Sequence, residues 1–191
     1  LFHIMEGNET TLPTFDFVLG KRISKGNVIS PKEYDIFLLE GIHALNDAIL
    51  EKMPDKEPFL CFYLDVTKGI GDENDPLSLS PEEIRFCRRL IRDFKHRGAS
   101  ADLTWKLWQN VLFAEKEILH PFRKNAAMTI STNFSYEIPV EKGELLPLLS
   151  GVKKESALYP EAKRILSILA HFPTFSSEIV PKDSVLREFI D

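Results

Sequence analysis

The clearest apolar run in the chain is Tyr34–Leu39, where Ile36, Phe37, Leu38 and Leu39 follow one another without a polar interruption. A short unbroken run of this kind predicts a strand buried on both faces, the habit of parallel sheets. The run ends at Glu40 and Gly41, and a helical pattern from about His43 to Lys52 comes next. Phe59–Val66 predicts a second strand of the same type, and Ala127–Ser131 a weaker third one. Strands separated by helical stretches predict an α/β layered domain.

The helical signals are sharpest in the middle of the chain. Residues 67–79 are polar and contain glycine, and their acidic cluster Asp72, Glu73 and Asp75 lacks calcium-loop spacing, so it reads as a solvated loop. Ser80, Pro81 and Glu83 then form a capping box with proline in the first turn, and Gly98 supplies a stop. Ser100 can cap the next helix, with Asp102 in its first turn and Trp105, Trp108, Leu112 and Leu119 spaced as a core face. Ala162, Ile165, Leu166, Leu169 and Phe172 predict a third amphipathic helix. Pro173 and Pro181 punctuate an exposed tail, and Val185–Ile190 is expected to dock back as a short apolar segment.

Composition narrows the class. The 191 residues carry 24 basic and 29 acidic side chains, a net charge of −5, which argues against a generic nucleic-acid or membrane-surface protein, and no DNA partner is expected. With 43% hydrophobic and 28% charged residues, disordered, collagen-like and coiled-coil classes fall away. No apolar run approaches the ~18 residues of a membrane span. Cys61 and Cys87 sit in apolar contexts and read as buried thiols of a reducing, cytoplasmic compartment. The first residue is Leu1, without an initiator Met or a secretory pattern, so the chain is expected to be a piece of something longer.

Candidate chemistry concentrates on the helix expected over 81–97. At ~100° per residue, Arg85, Arg89, Arg92 and His96 fall within an arc of about 60°, opposite Ile84, Cys87, Leu90, Ile91 and Phe94. No carboxylate of that helix lies inside the arc; Glu82 and Asp93 stand at its margin. The planar fork of arginine matches phosphate oxygens, so the stripe suits a polyphosphate; a solvated helix face is the competing reading. Glu40, at the carboxyl end of an expected strand, suits Mg²⁺ or a cap for the turn at Gly41. Phe15, Asp16, Phe17 and Arg22 combine aromatics, an acid and a base in one loop, suited to a base and ribose or to anchoring a core. There is no GxxxxGK[ST], GxSxG, HExxH or CxxC, and the five histidines show no metal spacing.

Four segments taken together resemble the uridine kinase and phosphoribulokinase-like family of P-loop nucleoside kinases. They are LPTFDFVLGKR at 12–22, YDIFLLEGIHALND at 34–47, CRRLIRDFKHRG at 87–98 and HPFRKNAAMTIST at 120–132, in the family's order. The likeness is to the bacterial branch that carries an N-terminal TGS domain, with YPEAKRILSIL at 159–169 and SVLREFI at 184–190 similar to that branch's C-terminal extension. The resemblance implies an incomplete P-loop NTPase parallel sheet with flanking helices and an arginine-bearing lid. Residues 1–150 would be the C-terminal part of the kinase domain, with the lid at about 67–100, and 151–191 a helical extension. It implies ATP-dependent transfer of a γ-phosphoryl group to the 5′-hydroxyl of a ribonucleoside, with ATP and Mg²⁺ as cofactors.

By motif, the resemblance gives Arg89 and Arg92 a place on the lid, touching substrate and phosphates, and Arg97 a place beside the triphosphate. It gives Phe15 the nucleobase contact, Asp16 and Arg22 the surrounding pocket, and Glu40 the Mg²⁺. The phosphate-cradling loop and the catalytic Asp are expected upstream of residue 1, so this piece alone is expected to be inactive, with upstream P-loop and TGS segments as its partners. Oligomeric state is left open. The pattern departs at Gly20, where uridine kinases have a His, and at Ala99, where they have an Arg, so the acceptor base is not fixed. The alternatives are a catalytically inactive, nucleotide- or RNA-responsive module with a kinase-like fold, and an unrelated α/β interaction domain.

Overall fold

Ser80 caps the longest described helix of the computed structural model, in which residues 2–16, 21–23, 26–53, 59–71 and 77–191 are described. The chain divides into two compact units: Leu1–Cys61 with Leu119–Ala127, and Phe62–Ile118 with Met128–Asp191. Together they hold a mixed α/β arrangement of short strands and longer helices, with one parallel strand pair. No described helix is long and apolar enough to cross a membrane.

The first unit contains α1 (Phe2–Met5), β1 (Thr10–Thr11), β2 (Thr14–Asp16), β3 (Lys21–Ile23), β4 (Val28–Ile29) and α2 (Asp47–Leu50). β1 pairs antiparallel with β4, and β2 with β3. The helix expected over 43–52 contracts to α2 and its flanking turns, capped by Asn46, whose side chain accepts from the Ala48 amide at 2.9 Å. The strand expected at Tyr34–Leu39 does not form. The Asp35 carboxylate accepts from the Lys32 amide at 2.9 Å, and Tyr34 takes a left-handed φ of 73°, so a turn replaces the start of the strand. No described strand pairs with residues 36–39, and Ile36 and Leu38 are 96% and 91% exposed rather than buried.

The second unit contains β5 (Phe62–Asp65), α3 (Pro81–Arg97), α4 (Ala101–Ala114), β6 (Met128–Ser131), α5 (Glu137–Ser150), α6 (Tyr159–Leu169) and α7 (Arg187–Ile190). β5 and β6 run parallel, with Phe62 opposite Met128 and Asp65 opposite Ser131, so the second and third expected strands are present and adjacent. They are not buried on both faces: Phe62, Leu64, Met128 and Ile130 remain exposed. α3 has the expected capping box at Ser80 and the left-handed cap at Gly98, where φ is 61°. Ser100 caps α4 as expected.

α5 runs against the sequence pattern, in which Pro139, Gly143 and Pro147 read as breakers. Pro139 falls in the first turn, where backbone N–H groups have no helical acceptor, and burial of Ile138, Leu145 and Leu149 outweighs the poor propensity of the rest. These side chains meet Ile84, Phe86, Leu90 and Ile91 of α3 and Ile165, Ile168 and Leu169 of α6 in one core. Phe86 stands edge-on to Trp105, ring centroids 5.2 Å apart. Phe94 departs from the expected apolar side and is exposed. Cys87 is buried as expected, whereas Cys61 is only half-buried. Beside this core a smaller cluster joins Val140 and Val180 to Leu186, Phe189 and Ile190, which is the expected docking of the tail. The acidic cluster Asp72, Glu73 and Asp75 lies outside the described residues.

Candidate functional site

α3 carries the arginine stripe on one side, as its periodicity requires, but each arginine of the stripe meets a carboxylate. Arg85 pairs with Glu115, and its guanidinium lies 5.7 Å from the centre of the Trp108 ring. Arg89 and Arg97 both grip the buried Asp93, at 3.2 and 2.8 Å. Arg92 Nη1 donates to Glu188 Oε1 of α7 at 2.9 Å. His96 is exposed. Carboxylate and phosphate oxygens suit the same guanidinium fork, so the stripe can exchange one anion for another only by releasing an internal acid. Two of its members are incompletely satisfied: Arg85 and Arg92 each keep a buried Nε without a hydrogen-bond acceptor.

Behind the stripe lies a charge cluster that sequence reasoning missed. Arg88 is buried, pairs through Nε with Glu137, and donates from Nη2 to Glu137 Oε2 at 2.8 Å and to the Thr132 carbonyl at 2.6 Å. One turn along α5, Glu141 is fully buried and neither of its oxygens has a hydrogen-bond partner. Burial, together with the neighbouring Glu137 charge, pushes the Glu141 carboxyl well above the ordinary value, against the pull of Arg88. Burial likewise pushes the Cys87 thiol up, which keeps it an unreactive core group.

The folded state thus keeps the Glu141 proton at pH values where an unfolded carboxyl, titrating near 4.5, has released it. Its contribution to stability is full below that value and is lost as pH rises through the raised folded value. Glu141→Gln, neutral at every pH and nearly isosteric, is expected to lose less stability than the parent between about pH 4.5 and 8. Urea midpoints across that range check it, and parallel curves for the two proteins would contradict it.

In the first unit, β2 and β3 bring three nominated residues together on a strand pair rather than a loop. Phe15 stands opposite Arg22, and Asp16 opposite Lys21. Phe15 is half exposed, and Arg22 lines a shallow cleft of about 400 Å³ with Thr11, Leu12 and Ile23. Phe17 and Gly20 lie outside the described residues. Glu40 is exposed on a segment without regular secondary structure, not at the end of a buried strand, so the strand that would position it is missing. Among the described residues no group of three or more His, Cys, Asp or Glu converges as for a metal ion.

A larger cleft of about 620 Å³ opens in the second unit beside the first turn of α3. Trp105, Trp108, Gln109, Glu161 and Arg164 line it, and no residue nominated from sequence does. Arg164 crosses it to pair with Glu83 and Glu161. Burial raises the Glu161 carboxyl. Both tryptophans read from sequence as core, and nothing in their spacing distinguishes a core wall from a cleft wall.

No protein-family profile matches the chain. Over 139 residues it is 25% identical to the uridine kinase of Staphylococcus haemolyticus strain JCSC1435, covering 72% of this chain and 58% of that protein. It is also 25% identical over 142 residues to the uridine kinase of Clostridium novyi strain NT, covering 74% of this chain and 59% of the relative. For the uridine kinase of Streptococcus gordonii strain Challis the identity is 25% over 139 residues, 72% of this chain and 57% of the relative. The chain therefore spans about 58% of the length of the curated relatives it matches. The mixed α/β arrangement with its short parallel sheet is compatible with a kinase-like fold. This weak likeness, extended over some 72% of the chain, supports a uridine-kinase-like family.

Proposed function

We propose that these residues are the lid and acceptor-side part of an ATP-dependent nucleoside kinase, acting in the cytoplasm on the 5′-hydroxyl of a uridine- or cytidine-like ribonucleoside. The observation that carries this reading is α3, a helix presenting three stripe arginines within the segment 87–98 that bears the family resemblance or directly before it. Arg89 and Arg92 are assigned to substrate and phosphate oxygens, where they offset charge in a loose transition state, and Arg97 to the triphosphate. Phe15 is assigned to the base, Asp16 and Arg22 to its pocket, and Glu40 to Mg²⁺.

The residues present fit only part of an ATP–Mg²⁺ site. The guanidiniums suit phosphate oxygens, Glu40 offers a single carboxylate, and the 191 residues contain no GxxxxGK[ST] cradle. The reading therefore places the cradle upstream, in the same protein, with the TGS segment preceding it. The uncovered apolar face of β5 and β6 is in keeping with further sheet layers, because parallel sheets are normally covered on both faces.

Residues 1–191 alone are expected to transfer negligible phosphate from ATP to uridine or cytidine with Mg²⁺, and a form extended through the upstream span to do so readily. An extended form that phosphorylates no ribonucleoside overturns the proposal. The non-catalytic reading, a nucleotide- or RNA-responsive module, is favoured by one observation: the stripe arginines are already paired with internal carboxylates. An upstream sequence without GxxxxGK[ST] would decide for it.

A further inference from the structure

The partners of the stripe arginines differ in how removable they are. Asp93 belongs to α3 itself, and Glu115 to the turn that continues α4, so Arg85, Arg89 and Arg97 have their acids on long helical elements. Glu188 lies on α7, a helix of only four residues. We propose that the segment Leu186–Ile190 is a latch that competes with a polyphosphate for Arg92, and that the guanidinium becomes available to such an anion when the latch lifts. The proposal takes its target, Arg92, from the kinase reading above.

Three observations carry it. First, Glu188 holds one donor of Arg92 at 2.9 Å and leaves the buried Nε without an acceptor. A phosphate, with its several oxygens, can take Nε and Nη together, so the latch satisfies this guanidinium less fully than a phosphate can. Second, Glu188 is 54% exposed and Arg92 27%, so the pair sits at the solvent boundary, within reach of a dissolved anion. Third, the segment is anchored apart from the main core. Leu186, Phe189 and Ile190 pack with Val140 and Val180, the Phe189 ring lies 5.6 and 5.8 Å from the guanidinium centres of Arg88 and Arg92, and Lys95 Nζ donates to the Ile190 carbonyl at 2.5 Å. Leu186, Phe189 and Ile190 rest on Val140 of α5 and on side chains of α3 but belong to a cluster separate from the one that joins α3, α5 and α6, which is the condition for local rather than global opening.

Binding and latching are then reciprocal: whatever weakens the latch tightens the anion, and the anion loosens the latch. The test titrates inorganic tripolyphosphate into the chain by calorimetry at low ionic strength, where an exposed pair is least screened. Glu188→Gln keeps the apolar anchor and removes the competing charge; it is expected to tighten binding roughly 2- to 5-fold, the range of an exposed ion pair. Arg92→Gln added to that variant is expected to cancel the gain. In the unaltered chain, saturating tripolyphosphate is expected to speed amide exchange at Phe189 and Ile190. An unchanged affinity in Glu188→Gln, a gain that survives Arg92→Gln, no tripolyphosphate binding in either protein, or unmoved exchange at Phe189 and Ile190 overturns the latch. None of these readouts involves turnover. A chain that passes them while its extended form transfers no phosphate keeps the latch and loses the kinase reading. An extended form that transfers phosphate, with an affinity unmoved by Glu188→Gln, loses the latch alone.

Discussion

Replacement of Arg88 by Met is expected to cost about 3–5 kcal/mol of stability at neutral pH, the usual penalty for stranding one member of a buried ion pair. The size reflects what the guanidinium does. It is the counter-charge for the fully buried Glu137, and it donates to the Thr132 carbonyl at 2.6 Å, tying α3 to the end of β6 and the start of α5. Methionine fills much the same volume, so the loss reports charge and hydrogen bonding rather than a cavity. With Arg88 gone, Glu137 and Glu141 would face each other one turn apart with no cation between them. The deficit should therefore shrink toward about pH 4, where carboxyls protonate. Adding Glu137→Leu to Arg88→Met should recover most of it, because an apolar pair of similar size replaces a buried ion pair at little cost. Urea unfolding of the parent, single and double variants measures all three. A single-variant loss under about 1 kcal/mol, the range of an exposed pair, would mean that Arg88 does not carry the load assigned to it.

The contrast between α3 and its surroundings explains which features were legible in the sequence. α3 is specified by signals within a few residues of its ends: Ser80 with Glu83 at the start, Gly98 at the stop, and an apolar period between. The stripe was legible for the same reason. Asp93 showed at its margin, but the acids of Arg85 and Arg92 did not, because they stand 30 and 96 residues away and a helical projection shows only the helix itself. Glu141 carries the opposite lesson: in sequence it is one more acid between Pro139 and Gly143, and only the packing of three helices reveals that it is buried beside Glu137. Tyr34–Leu39 failed differently. An apolar run states what a strand needs, a partner on each side, but not whether the partner is there, and a local turn at Lys32–Asp35 took the first residues instead. Phe15, Asp16 and Arg22 lie close in sequence, and the β2–β3 register sets Phe15 opposite Arg22 and Asp16 opposite Lys21.

Arg92→Ala, in the longest form that transfers phosphate, is expected to lower kcat/KM by on the order of 10²-fold or more, the effect of losing an arginine that offsets transition-state charge. Its structural effect should be small by comparison. The Arg92–Glu188 pair is partly exposed, and such pairs contribute about 0–1 kcal/mol. Activity and stability therefore separate the two roles: a large fall in kcat with an almost unchanged unfolding midpoint assigns Arg92 to the chemistry, and a fall in midpoint with full kcat assigns it to the docking of α7. Arg92→Lys refines the result, since lysine keeps the charge but not the planar fork, and it should recover only part of the loss. The comparison with Glu188 adds direction. If the guanidinium serves the docked tail, Arg92→Ala and Glu188→Ala should act alike, because each breaks the same pair. If it serves phosphate, they should act in opposite directions, the first depriving the site of a donor and the second releasing that donor from its internal acid.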